Sequence, residues 1–239
     1  MSRVTSTEPT SLRVAAARNN ADWCASVCRS HGNTSAFGEK AWWSVRRTPV
    51  YYPDAITLLD DVVPADFLTE IDMASPGCSV KDSFVTLDLA PMGFSELFAA
   101  QWIHRPPGPA VPATLRTERV STASRLRDWQ AAWHGDDDVP DVFRPALLDD
   151  PSVLVLAFHD GGGLHGGAVL NHSAGLVGLS NLFAVEGCDV ADIWASAISA
   201  AAGHFPEVPL VGYEHGDDLA PALANGFGVL GTLRVWLHS

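Results

Sequence analysis

Gly175-Leu176-Val177-Gly178-Leu179-Ser180-Asn181-Leu182-Phe183-Ala184-Val185-Glu186-Gly187 is the stretch on which the reading of this chain turns. It begins as an apolar strand that carries a second glycine and a Ser-Asn pair. It ends in a short loop with a third glycine, and a helix rich in Ala follows from about Val190 to Ala202. A polar pair inside an apolar strand costs free energy unless each group finds a partner. A loop that opens into a helix presents free backbone N–H groups, which suit an anion. The stretch is therefore read as a ligand site or the remnant of one.

Downstream, Ile193, Trp194, Ala197, Ile198 and Ala201 share one helix face. Val208 to Tyr213 reads as a buried strand. Asp217 or Asp218 caps a helix through Leu223, which stops at Asn225-Gly226, and Gly228 to Leu237 closes the chain as a strand pair. Upstream, Val153 to Phe158 is a continuous apolar strand. His159-Asp160-Gly161-Gly162-Gly163 is a turn, and Gly166 to Asn171 returns as a hairpin. Leu115 to Val120 is a strand, and Thr122 caps a helix to Trp133 with Leu126, Trp129 and Trp133 on one face. The run Asp136-Asp137-Asp138 is expected to be a solvated loop. A late strand–helix–strand crossover in this order implies an α/β mixed sheet.

The first half is less regular. Met1 to about Thr10 is small and polar and is expected to be poorly ordered. A helix from Leu12 to Cys28 is expected to break near Asn19-Asn20. Ala55 to Leu59 and Ser83 to Leu89 read as strands, and Pro64 to Met73 as a short helix. Phe98 to Ile103 fits helix or strand. Trp42, Trp43, Tyr51 and Tyr52 form an aromatic patch near Arg46 and Arg47; it suits either a pocket wall or core packing. Four prolines fall between Pro106 and Pro112, which excludes a helix or a central strand there. The expected division is a smaller N-terminal α/β lobe, 1–112, and a C-terminal domain, 113–239.

Composition bounds the function. The chain has 239 residues, 47% hydrophobic, enough for a sizeable core. A net charge of −13 argues against nucleic acid or an anionic membrane as the main partner. No apolar run is long enough to span a bilayer, and no signal peptide is apparent, so a cytoplasmic protein is expected. Four cysteines without paired zinc spacing read as inert buried thiols. His159, His165, His172 and His215 fall near turns and do not converge in sequence, so no metal is expected. Asp160-Gly161-Gly162-Gly163 lacks the Lys and Ser/Thr of a phosphate-binding loop. A homodimer is left open.

With these residues, the region from about Thr114 to His238 resembles the GNAT N-acetyltransferase superfamily. The hairpin Leu154–Ala157 to Gly166–Val169 resembles the family's second and third strands, and Gly178–Ala184 its fourth. The resemblance implies that this fourth strand splays from the next, Leu210–Glu214, and pairs its backbone with the pantetheine arm of acetyl-CoA. Ala222 to Phe227 resembles the helix end and Gly-Phe before the final strands, one of which would hold Arg234-Val235-Trp236. It implies a mixed-sheet acyl-CoA acyltransferase fold and acetyl-CoA or another acyl-CoA as co-substrate, bound by Leu182, Phe183, Ala184, Gly187, Cys188, Asp189 and Val190. The family's loop of form Q/R-x-x-G-x-G/A is here Val185 to Val190. It lacks the basic residue and has Glu186 and Asp189, with Asp192 beyond. Carboxylates there repel a pyrophosphate and suit a bare helix N-terminus. An echo also joins the halves: Ala90–Phe94 then Gln101–His104, against Leu223–Phe227 then Val235–His238. It points to a worn duplication, with the N-terminal half a truncated GNAT-like lobe.

The resemblance implies acyl transfer to a small-molecule amine. Glu214 is the candidate base. The family's frequent acid, a Tyr four residues before the Gly of Gly-Phe, corresponds to Ala222, which leaves Tyr213 as the nearest substitute. Strand alternation places Tyr213 and Glu214 on opposite faces, and likewise Ser180 and Asn181. Ser180, Asn181, Trp42 and Tyr52 are the candidate substrate contacts. The alternative function is a catalytically degenerate member that binds a small ligand or a protein partner.

Overall fold

The computed structural model describes residues 7–108, 111–135 and 139–238. The acidic run Asp136-Asp137-Asp138, Met1–Ser6, Pro109 and Ala110 lie outside the described residues. Among the described residues there are four α-helices: α1 (Thr7–Ser30), α2 (Ala123–His134), α3 (Val190–His204) and α4 (Leu219–Ala224). The strands are β1 (Ser35–Phe37), β2 (Ala41–Ser44), β3 (Ala55–Thr57), β4 (Ser79–Asp82), β5 (Phe94–Arg105), β6 (Arg116–Arg119), β7 (Val153–His159), β8 (Leu164–Ser173), β9 (Leu176–Ala184), β10 (Leu210–Glu214) and β11 (Gly228–His238). All eleven join one sheet in the order β1-β2-β3-β4-β11-β5-β10-β9-β8-β7-β6.

Helices cover both sheet faces, as the period-2 alternation of β7 requires. Val153, Val155 and Ala157 pack with α2 and the C-terminal part of α1, around Trp129 and Val27. Leu154, Leu156 and Phe158 point the other way, onto Ile193, Ala197 and Ile198 of α3. Thr122 caps α2 by accepting from the Arg125 backbone N–H at 3.3 Å, and Gly135 ends it in the left-handed region.

The proline-rich segment joins β5 to β6 without dividing the sheet. β5, from before the prolines, lies between β10 and β11, and β11 in turn pairs with β4. Each half thus places its long strand against the other half. The sequence echo has a geometric counterpart. Gly93 and Gly226, both left-handed, each follow a short helical turn and precede a Phe. The strands then pair antiparallel so that Phe94 faces His238 and Gly228 faces His104.

Several local expectations are corrected. α1 is unbroken at Asn19-Asn20, because both side chains bond sideways to other elements and leave the helix backbone intact. It also begins at Thr7, inside the segment expected to be poorly ordered. Ser83–Leu89 alternates like a strand but is a loop. The buried Asp82 carboxylate accepts from the Phe84 and Leu87 N–H groups at 3.3 and 2.9 Å, and Val85 is left-handed. Only Pro64–Asp66 of the expected helix to Met73 is helical; Asp72 accepts from Ala74 and Ser75 N–H and turns the chain. The closing strand pair is one long strand, β11.

Candidate active site

β9 and β10 run parallel but pair only at Val177–Leu210 and Gly178–Val211. Past that point β9 stays with β8 and β10 stays with β5, so a wedge opens in the sheet. The cause is a bulge. Three steps from Ser180 to Phe183 oppose two from Val169 to Gly167, and Asn181 takes the extra position at φ 51°. A bulge bends its strand, and a left-handed position admits Asn more readily than most residues.

A cavity of about 240 Å³ fills the wedge. It is floored by β9 and β10 and roofed by α1, which contributes Ala16, Asn19, Asn20, Trp23 and Cys24. β4 adds Lys81, β5 adds Trp102, and Tyr51 and Tyr52 stand at its side. α1 docks through Asn19, whose Nδ2 donates to the carbonyls of Asn171, Ser173 and Leu176 at 3.2–3.3 Å. Gly178 is required here: a Cβ would run into the carboxamide oxygens of both Asn19 and Asn171.

Tyr213 and Glu214 both border the cavity, against the expectation that they diverge. The wedge cuts through the sheet, so residues of either face reach it. Val211 and Tyr213 pack on the α1 side, while Leu210, in step with Glu214, packs on α3. Burial pushes the Glu214 carboxyl up to about 8, with the nearby Asp218 carboxylate adding to it. The group is thus poised near neutral pH, as a proton acceptor must be. The Tyr213 ring stands edge-on to Trp102, 5.7 Å between centroids, and carries the Lys81 ammonium 4.0 Å from its own centroid.

Ser180 and Asn181 also share the cavity, because the left-handed residue breaks the alternation. The Ser180 hydroxyl is buried without a protein partner among the described residues. The Tyr52 hydroxyl donates to Asn181 Oδ1 at 3.5 Å, and burial holds its pKa well above the usual phenol value. Trp42 is not at the site. It is fully buried in the core beside Phe37, as an inward-facing residue of β2. Arg47 is held by the buried Asp54 rather than by the cavity. Cys24 lines the cavity, and burial raises its thiol to about 12, which disfavours the thiolate.

Of the seven expected cofactor contacts, Leu182 alone borders the cavity. Phe183 turns into the core, edge-on to Trp129 at 5.2 Å, and Ala184 pairs with Gly166. Gly187 is left-handed and Cys188 N–H donates to the Val185 carbonyl at 2.9 Å. Asp189 caps α3, accepting from Ala191 N–H at 2.9 Å. Val190 is the first residue of α3. Past Gly178 the edge of β9 that faces β10 has no strand partner among the described residues. The loop beyond it offers a pyrophosphate no basic residue, and one of its helix N–H groups is already taken.

Lys81, Asn19, Asn20, Trp23 and His215 were not legible as site residues. They come from α1, β4 and a turn, and only the fold brings them to the wedge. The nearest signal was Lys81 itself, one of only two lysines in the chain.

No protein-family profile matches the sequence, and no curated protein matches it. Solved structures do match in shape. A GCN5-related N-acetyltransferase from Kribbella flavida superposes with a TM-score of 0.67 at 16% identity, over 94% of this chain and 95% of that one. A conserved protein of unknown function from Staphylococcus epidermidis gives 0.60 at 8% identity, over 86% and 94%. A GNAT-family protein from Novosphingobium aromaticivorans gives 0.56 at 11% identity, over 86% and 91%. With its parallel strands β9 and β10 splayed and a bulge in β9 against β8, this chain has the fold of the GNAT superfamily.

Proposed function

We propose that this chain is an acyl-CoA-dependent N-acyltransferase that acylates a small-molecule amine, with acetyl-CoA as the first donor to test. The observation that carries this reading is Glu214, a carboxyl raised to about 8 at the mouth of the sheet wedge. The donor supplies the acyl carbon: the amine nitrogen forms a C–N bond to it, the C–S bond breaks, and the thiol leaves with one proton. Glu214 takes the proton that the acceptor ammonium must lose before its nitrogen can attack. The Tyr213 hydroxyl is the proton source available to the departing sulfur. The unpaired β9 edge from Asn181 to Ala184 would hold the donor arm, and burial under α1 excludes water.

A second reading is a catalytically degenerate member that binds a small ligand or a protein. It is favoured by Asp189, which occupies the α3 N-terminus, and by Ala222, a buried core residue where the family's acid would stand.

Calorimetric titration with acetyl-CoA and CoA, followed by thiol release with a panel of amines, separates the two. The transferase reading expects binding below millimolar and thiol release that Glu214→Gln reduces by about a hundredfold or more. No binding at millimolar ligand removes it. A Glu214→Gln protein with undiminished turnover removes Glu214 as the base.

A further inference from the structure

Lys81 is 3% exposed and borders the cavity. Its Nζ donates to Asn20 Oδ1 at 2.8 Å and lies over the Tyr213 ring. Among the described residues no carboxylate stands within ion-pair distance of it. An ammonium has three N–H donors. One is used by a neutral amide, and the ring face gives only partial compensation. A buried cation without an anion is costly, and the cost is removed when an anion binds.

The composition sharpens this. Of 15 basic residues only Lys40 and Lys81 are lysines, the rest being arginines. Lys40 is at the surface, bonded to Asp61. The other lysine sits in the cavity of a chain with net charge −13, whose surface as a whole repels anions. Ser180, another residue lining this cavity, has a hydroxyl that is likewise buried and unpartnered among the described residues.

We infer that the acceptor carries a carboxylate that pairs with Lys81, so that the substrate class is amino acids and related amines bearing an acid group. This rests on reading the wedge as the acceptor site of a transferase. The two ends of such a molecule match the two sides of the cavity. The carboxylate meets Lys81 on the α1 side, and the ammonium meets Glu214 across the wedge.

The test is calorimetric binding of leucine, phenylalanine, methionine and glutamate to the full chain, each against its own α-carboxamide. At least one acid is expected to bind about tenfold or more tighter than its carboxamide. In Lys81→Met, with folding checked by circular dichroism, that ratio is expected to fall to about one. Lys81→Gln serves if the Met variant does not fold, and the wild-type ratio is informative without either. The inference is overturned if every carboxamide binds as well as its acid, if no acid binds, or if the preference survives neutralisation of Lys81. Acid-selective binding without thiol release from acetyl-CoA leaves the Lys81 assignment standing and removes acetyl transfer as the reaction. Thiol release with plain amines and no acid preference does the reverse.

Discussion

Asn19 and Asn171 grip each other across the sheet face: Asn171 Nδ2 donates to the Asn19 carbonyl at 3.1 Å, and Asn19 Nδ2 donates to the Asn171 carbonyl at 3.3 Å. Both are almost fully buried, and both carboxamide oxygens crowd Gly178, the last residue where β9 still pairs with β10. The pair fixes α1 over the point where the wedge begins. The site's roof and its floor are therefore one packing unit.

Gly178→Ala and Asn19→Leu are expected to destabilise the fold strongly. The first drives a methyl into two amide oxygens held by buried hydrogen bonds, at a cost of about 2–4 kcal/mol. The second leaves several buried carbonyls without a donor, at about 1–3 kcal/mol. Urea denaturation measures both, and the double variant should show coupling, since the two residues touch. A loss below about 0.5 kcal/mol for both would show that the helix does not depend on this contact.

Glu214 makes a prediction with a definite sign. Its folded pKa, about 8, lies above the ordinary carboxyl value. The folded state therefore holds a proton that the unfolded state gives up. The stability this confers is full below about pH 4 and falls as pH rises, until the group ionises near 8. Glu214→Gln should remove that fall, so the variant gains on the wild type between pH 5 and pH 8, by about 1–3 kcal/mol after allowing for partial exposure. Activity should run the opposite way, rising through the folded pKa as the base ionises. Parallel denaturation curves for the two proteins across this range would contradict the assignment.

The C-terminal half was legible because its signals are local. β7, the α2 cap and the α3 face follow from periodicity and one Thr. Ser83–Leu89 was misread because a buried carboxylate, Asp82, overrides its alternation. β5 was undecided because its neighbours, β10 and β11, lie more than a hundred residues away. In the site, Glu214 was named from the family resemblance, as a carboxylate at the end of the fifth strand, and it lines the cavity. Lys81 and Asn20 were not, since the bond joining them spans 61 residues. Trp42 failed as a pocket residue because an aromatic in a strand looks alike whether it faces a cavity or a core.

Asp189→Asn is expected to improve binding of CoA. Asn caps a helix about as well as Asp, so α3 should keep its start. The substitution removes one negative charge beside the N–H groups that would face a pyrophosphate on the proposed reading. A gain of about three- to tenfold in affinity is expected at low salt, shrinking as ionic strength rises. Acetyl-pantetheine, which has no pyrophosphate, should bind both proteins equally. An equal gain for both ligands would mean that the change acts through the arm and not through charge.

Asn181 sets the wedge through its backbone, so its variants should rank by their tolerance of positive φ. Asn181→Gly meets no steric barrier at φ 51° and should stay within about 1 kcal/mol of the wild type. It loses only the long 3.5 Å contact with the Tyr52 hydroxyl. Asn181→Val places a β-branched side chain in the left-handed region, at a cost of about 1–3 kcal/mol. The strained chain has one escape, which is to flatten the bulge. That would slip Leu182 to Ala184 by one position, exchange their faces, and bring β9 back toward β10. On the proposed reading, Asn181→Val should therefore lose acetyl-CoA binding beyond what its stability loss explains, while Asn181→Gly keeps it. Equal stability of the Gly and Val variants would mean that the bulge is held by its neighbours and not by the conformation of residue 181.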